Sequence, residues 1–195
     1  MIERKKEKTK LGGIKKVNEK RHYYAGIGSR NTPKEVLDVF ESIGKYLALQ
    51  GFVLRSGGAD GADRAFERGC KKGHGDCEIY LPWAGFNNSR SNLIVRNEKA
   101  FEIAKHYHPY WDNLKDGAKK LQARNSHQVL GADLKTQSDF IICYTKDGKG
   151  EGGTGQALRI AKDFGIPIFD AGAYATLSEF KKILWICLRE NFGCK

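Results

Sequence analysis

The feature that most constrains the fold is a pattern that occurs three times: a short apolar run, a glycine-containing loop and an amphipathic helical segment. The apolar runs are HYYAGI at 22–27, FVLRS at 52–56 and DFIICYT at 139–145. Apolar runs that alternate with helical segments are typical of βαβ units with parallel strands. The pattern therefore predicts an α/β, Rossmann-like fold, with a mostly parallel sheet of about five strands and helices on both faces.

The remaining elements follow from apolar periodicity and from residues that start or stop helices. The runs EIYLP and IPIFD predict the other two strands, at 78–82 and 166–170. Helical spacing predicts helices over 33–50, 62–72, 91–106, 114–130, 156–165 and 176–191. Residues 83–135 are longer than an ordinary βα connection, so we expect a helical insertion beside the ligand site. The chain is then a single domain over 22–195.

The basic charge is concentrated at the N-terminus. The net charge is +11, and residues 1–21 carry nine Lys or Arg against three Glu. This segment has few apolar residues, which predicts a disordered tail. Such a tail either adds salt-sensitive affinity for nucleic acid or only keeps the protein soluble, and the sequence leaves both open.

Other composition signals narrow the class of protein. No apolar run approaches the roughly 18 residues that a membrane span needs, and the N-terminus lacks the apolar segment of a signal peptide. We therefore expect a cytoplasmic protein with no membrane partner. The five cysteines and five histidines have neither disulfide-framework nor zinc-site spacing. We predict no metal and no cofactor.

Three glycine-containing loops are expected at one edge of the sheet, because the carboxyl ends of parallel strands open on the same side. Glycine lets the backbone approach a ligand closely, and a helix that starts after it presents unpaired N–H groups to an anion. The loops therefore predict a phosphate site. Their candidate ligand-binding residues are Gly28, Ser29 and Arg30, then Ser56, Gly57, Gly58, Asp60 and Asp63, then Gly152, Gly153, Thr154 and Gly155.

Polar side chains in and near these loops suggest particular roles. Arg30 is placed for a bidentate phosphate contact, and nearby hydroxyls can donate to the same oxygens. Asp63 begins a predicted helix, so it either caps backbone N–H groups, which we favour, or contacts a ribose hydroxyl or a water. Arg124 and Asn125, with Gln128, lie on nearby turns of one predicted helix and either read a base edge or form a solvated face.

These motifs resemble a known group of proteins. The segments GIGSRNTP, GFVLRSGGADGAD, SDFIICYT and GGTGQALRIAKDFGIPI are similar to those of the SLOG superfamily of Rossmann-like domains, especially the DprA/Smf-like proteins of bacteriophage genomes. The resemblance covers residues 22 to about 170. The N-terminal tail and the last predicted helix lie outside the resemblance.

The resemblance implies different activities in different branches. DprA binds single-stranded DNA in a basic pocket and dimerises, so the resemblance implies strand binding and a homo-oligomer. Asp60 stands where the DprA pattern has arginine, which makes the pocket of this chain less cationic. LOG-type enzymes cleave a nucleotide N-glycosidic bond with a motif glutamate. Arg159 occupies the position of that glutamate here, so LOG-type hydrolysis is not supported. A third branch senses nucleotide-derived signals such as ADP-ribose compounds.

The sequence therefore favours binding of a phosphate-bearing nucleotide or nucleotide derivative at the glycine loops. The first alternative is DprA-like single-stranded DNA binding. In that case Arg30, Arg55, Arg90, Arg96 and Arg124 would contact phosphates, and Trp83, Phe86, Tyr107 or Trp111 would stack on bases. The second is a nucleotide N-glycosidase, in which Glu35, Asp60, Asp63 or Glu151 would have to supply the missing carboxylate. Whether the protein is an enzyme stays open.

Overall fold

The computed structural model describes residues 21–194 and contains a six-stranded parallel sheet with the strand order β4-β3-β2-β1-β5-β6. The strands are β1 Tyr23–Gly26, β2 Val53–Ser56, β3 Cys77–Leu81, β4 Leu93–Ile94, β5 Phe140–Cys143 and β6 Ile168–Asp170. The predicted Rossmann-like α/β fold is confirmed. The predicted count of about five strands is wrong, because β4 lies within the segment 91–106 that apolar periodicity predicts to be a helix.

Within residues 21–194, six α-helices cover the two faces of the sheet. They are α1 Lys34–Leu49, α2 Ala62–Lys72, α3 Glu98–His106, α4 Asp116–Leu130, α5 Gly152–Asp163 and α6 Leu177–Phe192. Helices α1, α2 and α6 bury their apolar residues in one core, and α3, α4 and α5 bury theirs in the other. The sheet is therefore wound on both sides, as the alternation of strands and helices predicts.

The central strands supply both cores through the two-residue alternation of a pleated strand. On β5, Phe140 and Ile142 pack with the first core, while Ile141 and Cys143 pack with the second. All four side chains are fully buried. This explains why the run reads as continuously apolar in the sequence.

Two predicted boundaries need correction. The helix expected over 91–106 begins only at Glu98, where the Asn97 side chain accepts a 3.0 Å hydrogen bond from the Lys99 N–H. The preceding residues form β4, whose Leu93 pairs with Tyr80 of β3. The third glycine segment is also not a loop, because α5 begins at Gly152 and the glycines form its first turn.

The segment 83–135, predicted to be a helical insertion, carries β4, α3 and α4. Helix α4 packs against α5 and against β2 and β3, so this segment supplies part of the regular helical layer. The predicted tail lies outside the described residues except for Arg21, which forms a 2.6 Å exposed ion pair with Asp76. Among residues 21–194, no helix combines the length and apolar character needed to cross a bilayer.

Candidate functional site

A cavity of about 740 Å³ opens at the carboxyl edge of the sheet, beside β1 and β5. The chain order reverses there, since β1 leads outward to β2, β3 and β4, while β5 and β6 lie on its other side. Such a switch point is the usual ligand site of doubly wound folds. Nine predicted site residues line the cavity: Gly28, Ser29, Arg30, Asp63, Arg124, Asn125, Gly152, Gly153 and Thr154.

The loop after β1 is held close to its neighbours. A Cβ atom at Gly28 would lie 2.8 Å from the Cβ of Ala62, so only glycine fits at this position. The Ser29 hydroxyl accepts a 3.0 Å hydrogen bond from the Asn31 N–H, which shapes the turn. Arg30 is exposed at the cavity and makes no ion pair or hydrogen bond with the side chains of residues 21–194. Its guanidinium is therefore available to a ligand.

Asp63 organises the loop after β2. Its carboxylate accepts hydrogen bonds from the N–H groups of Gly57 at 3.2 Å and Ala59 at 3.3 Å. Burial raises the pKa of Asp63, and the charge of Arg124 and the backbone N–H donors act against that rise. These donors belong to the loop before α2, and among the described residues no side chain caps the start of that helix. The capping of α2 expected of Asp63 is therefore not seen, and the residue instead binds the loop and lines the cavity.

Arg124 is the central buried cation of the site. Its side chain donates to the Gly57 carbonyl at 2.7 Å and to the Asn125 side-chain oxygen at 3.1 Å. Only glycine at 57 leaves this space, because a Cβ there would lie 2.5 Å from the Arg124 Cζ. The buried Nε has no partner among the described residues, and a guanidinium has more donors than these two bonds use. Arg124 can therefore bind an acceptor that enters the cavity.

Helix α4 contributes two further polar groups. Asn125 donates a 3.0 Å hydrogen bond to the Gly153 carbonyl, which joins α4 to the first turn of α5. Gln128 is 1% exposed, lines the cavity, and its Nε2 has no partner among residues 21–194. A buried polar group without a partner costs free energy. Gln128 therefore has a donor available to an acceptor that enters the cavity.

The first turn of α5 faces the same cavity. Glu151 stands at the N-cap, and no side chain of residues 21–194 caps the first N–H groups. A Cβ at Gly153 would meet no atom of the described residues within 4 Å, so these residues leave the space before this turn open. The uncapped N–H groups and the positive end of the helix dipole favour an anion at this point.

A buried hydrogen-bond network holds the segment that leads into α5. Asp170 accepts a 2.8 Å bond from the Thr145 N–H and a second bond from the Thr145 hydroxyl. That hydroxyl in turn accepts a 3.0 Å bond from the Gly150 N–H. Gly155 lies so close to this segment that a Cβ there would be 2.1 Å from the Gly150 carbonyl oxygen. The position of the helix start is therefore fixed by β6.

Five predicted residues do not line the cavity: Ser56, Gly57, Gly58, Asp60 and Gly155. Ser56 is fully buried and donates a 2.7 Å bond to the Gly26 carbonyl, which joins β2 to β1. Asp60 is exposed and lies 3.9 Å from the Arg64 guanidinium. Gly57, as described, makes space for Arg124. The five residues therefore support the backbone around the cavity and do not line it.

Several side chains considered for DNA contact are occupied elsewhere. Arg55 is 2% exposed and forms a 2.8 Å ion pair with Glu78, so it is not available to phosphate. Tyr107 donates a hydrogen bond to Asp163 on α5. Trp111 is buried in the second core. Of the proposed aromatic residues, Phe86 lines the cavity, and the Trp83 ring packs against the Phe86 ring.

Sequence reasoning missed the contribution of the segment that follows β5. It lines the cavity with Tyr144, Thr145 and Lys146, and α4 adds Gln122. Their position after a parallel strand was the available signal. Within residues 21–194, no group of three or more His, Cys, Asp or Glu side chains is arranged to hold a metal ion.

Comparison with solved structures finds Rossmann-like neighbours at low sequence identity. One neighbour is DNA processing protein A from Helicobacter pylori, a protein with a unique single-stranded DNA binding mode. It superposes with a TM-score of 0.56 at 19% identity, and the match covers 87% of this chain and 81% of that chain. At this identity the likeness concerns the fold. Comparisons with protein-family models and with curated proteins give no match.

Two further neighbours superpose less well. The molybdenum cofactor carrier protein of Chlamydomonas reinhardtii has a TM-score of 0.47 at 14% identity and covers 90% of this chain and 87% of that chain. DNA processing protein A from Streptococcus pneumoniae has a TM-score of 0.48 at 18% identity and covers 85% and 56%.

Proposed function

We propose that this protein binds a phosphate-bearing nucleotide or nucleotide derivative in the cavity at the carboxyl edge of the sheet. The observation that carries the proposal is that the uncapped start of α5 and buried hydrogen-bond donors on α4 line the same cavity. Arg124 and Gln128 both line the cavity, and each has a buried nitrogen without a partner in the described part of the chain. Such donors fit an anionic, oxygen-rich ligand.

The charges and size of the cavity support the same ligand class. Its cations are Arg30, Arg124 and Lys146, and its carboxylates are Asp63 and Glu151. The carboxylate of Asp63 is already engaged by backbone N–H groups, so the open charge is mainly positive. A volume of about 740 Å³ lies in the range of roughly 300–1,000 Å³ that small-molecule and cofactor sites occupy.

Single-stranded DNA binding is the second candidate, and the specific observation in its favour is the structural likeness to the Helicobacter pylori protein. Arg30 and Lys146 are exposed at the cavity, where they could contact successive phosphates of a strand. The hydrolase alternative has less support. Arg159, at the position of the LOG-type glutamate, donates a 2.6 Å bond to the Tyr107 carbonyl, and no reaction is proposed.

Salt-dependent titration separates the two candidates. We propose to measure AMP, ADP-ribose and an oligothymidylate by calorimetry over a range of salt concentrations. A single-phosphate site predicts a slope of log affinity against log salt near −1 or shallower, whereas a strand binder gives about −0.7 for each phosphate it neutralises. Arg124→Met should weaken AMP binding, and Arg90→Ala, which changes an exposed arginine outside the cavity, should not.

The opposite pattern would overturn the ranking. Tight, length-dependent oligothymidylate binding at physiological salt, with no competition from AMP or ADP-ribose, would establish the strand-binding alternative. Repeating the titration after deletion of residues 1–20 tests whether any strand binding belongs to the basic N-terminal segment. We expect that deletion to weaken oligonucleotide binding mainly at low salt.

A further inference from the structure

The loop that follows β3 places two aromatic side chains at the cavity. We call residues 82–89 the aromatic loop. Phe86 lines the cavity, and Trp83 packs edge-on against it, with ring centroids 5.2 Å apart and an interplanar angle of 89°. Trp83 remains 41% exposed. A large aromatic side chain left this exposed beside a cavity has apolar surface that a ligand can cover.

The aromatic loop is held in an unusual backbone conformation. Asn87 and Asn88 have φ values of 48° and 59°, in the left-handed region that few non-glycine residues adopt. Asn87 donates a 3.1 Å bond to the Gly58 carbonyl, and its own carbonyl accepts a bond from Arg64. Left-handed residues persist only where surrounding contacts determine them, and they cluster at ligand sites. The loop is therefore fixed to the glycine segment after β2.

The aromatic loop and the proposed phosphate site share one cavity. The first turn of α5 and Phe86 both belong to its lining. Arg124 is connected to both, because its Cζ lies 6.0 Å from the centre of the Phe86 ring and it donates to Asn125, whose amide donates to the Gly153 carbonyl in the first turn of α5. A ligand with its phosphate at α5 can therefore extend past Arg124 to an aromatic surface.

We propose that Phe86, supported by Trp83, forms a subsite that stacks on the nucleobase of the ligand. The inference rests on the proposed function, which places the phosphate at α5, and it adds that the ligand carries an aromatic base at its other end. The same chemistry serves a free nucleotide or one nucleotide of a strand. Stacking on a π face tolerates different bases, and a purine offers the larger face.

The test compares AMP with ribose 5-phosphate, which keeps the sugar and phosphate and lacks the base. We expect the wild-type protein to bind AMP more tightly. Phe86→Leu keeps apolar volume and removes the π face. It should weaken AMP binding at least about fivefold, the lower end of what one base stack contributes, and change ribose 5-phosphate binding less than about twofold. Trp83→Ala should act in the same direction, and AMP should quench the fluorescence of Trp83 in the wild type.

Tyr110→Ala is the matched control, since Tyr110 is an aromatic side chain that is 69% exposed and outside the cavity lining. It should leave both affinities unchanged. If Phe86→Leu lowers the melting temperature, Trp83→Ala carries the test, because the Trp83 side chain is partly exposed.

The outcomes of the two proposals are distinguishable. If the wild type binds neither compound, the proposed function fails. If it binds both compounds equally, and both variants keep the AMP affinity, the phosphate site stands and the base subsite is refuted. Parallel titration with an oligothymidylate distinguishes the two sources of base: loss of affinity for the oligonucleotide alone would assign the subsite to a strand.

Discussion

Two glycines in the first turn of α5 should respond in opposite ways to the same substitution. A Cβ at Gly153 meets no atom within 4 Å, so Gly153→Ala fits the fold. Alanine also stabilises a helix by about 0.5–1 kcal/mol relative to glycine. The added methyl group lies where we place the phosphate. Loss of one charge-assisted hydrogen bond costs about 1.5–3 kcal/mol, which corresponds to a roughly 10- to 150-fold weaker affinity.

Gly155→Ala tests the fold at the same helix start. Its Cβ would lie 2.1 Å from the Gly150 carbonyl oxygen, a backbone atom that Thr145 helps to hold in place. Overpacking of this kind costs about 1–3 kcal/mol, and each kcal/mol lowers the melting temperature of a domain of this size by about 2–4 °C. We therefore expect a clearly lower melting temperature for Gly155→Ala and an unchanged or raised one for Gly153→Ala.

Differential scanning fluorimetry gives the two melting temperatures, and calorimetry with AMP gives the affinities. If Gly153→Ala binds AMP as tightly as the wild type, the phosphate does not bind at this turn. If Gly155→Ala melts at the wild-type temperature, Gly155 is not packed as tightly as its 2.1 Å Cβ distance indicates.

Three further substitutions separate binding from stability. Burial raises the pKa of Glu67 from 4.5 to about 7, so ionisation of Glu67 should reduce the stability of the fold as pH rises through that interval. Glu67→Gln should therefore raise the melting temperature at pH 8 and change it little at pH 4, and a difference that does not depend on pH would contradict this. Gly57→Ala displaces the flexible end of Arg124 and should weaken AMP binding at least about tenfold, with little effect on the melting temperature. Unchanged affinity would show that Arg124 does not contact the ligand. Arg55→Ala removes the cation paired with Glu78, which keeps the hydrogen bond from the Tyr80 hydroxyl, and should cost about 3 kcal/mol by chemical denaturation. The AMP affinity of the folded protein should be unchanged, and loss of affinity without loss of stability would reverse this assignment.

The sequence predicts the elements whose own pattern determines them. Helix α1 was expected over 33–50 and runs over Lys34–Leu49, because its apolar residues repeat at helical spacing. Strand β4 could not be predicted in this way. Its two residues have no alternation of their own, and they are extended because Leu93 pairs with Tyr80 of β3. An element set by its partner leaves little signal in its own sequence.

The candidate site shows the same division. Glycine loops after strands indicate an anion site at the switch point, and the cavity lies there. The role of Arg124 depends on which face of α4 packs on the sheet and on the missing side chain at Gly57. Phe86 comes from the irregular segment 83–135, whose path is set by tertiary contacts such as the bond from Asn87 to Gly58. Sequence periodicity carries no information on these contacts.

The central position of β1 has a consequence for the order of folding. One edge of β1 pairs with β2, but the other edge can pair only after β5 has been synthesised, about 116 residues later in the chain. At synthesis rates of about 5–20 residues per second, this apolar strand edge stays uncovered for roughly 6–23 s. The cavity does not exist during that time, since the segment after β5 and α5 form one of its walls. A chain that stops before residue 139 therefore exposes an open strand edge, which promotes aggregation. A ligand of the proposed site can stabilise the protein only after synthesis has passed through the start of α5.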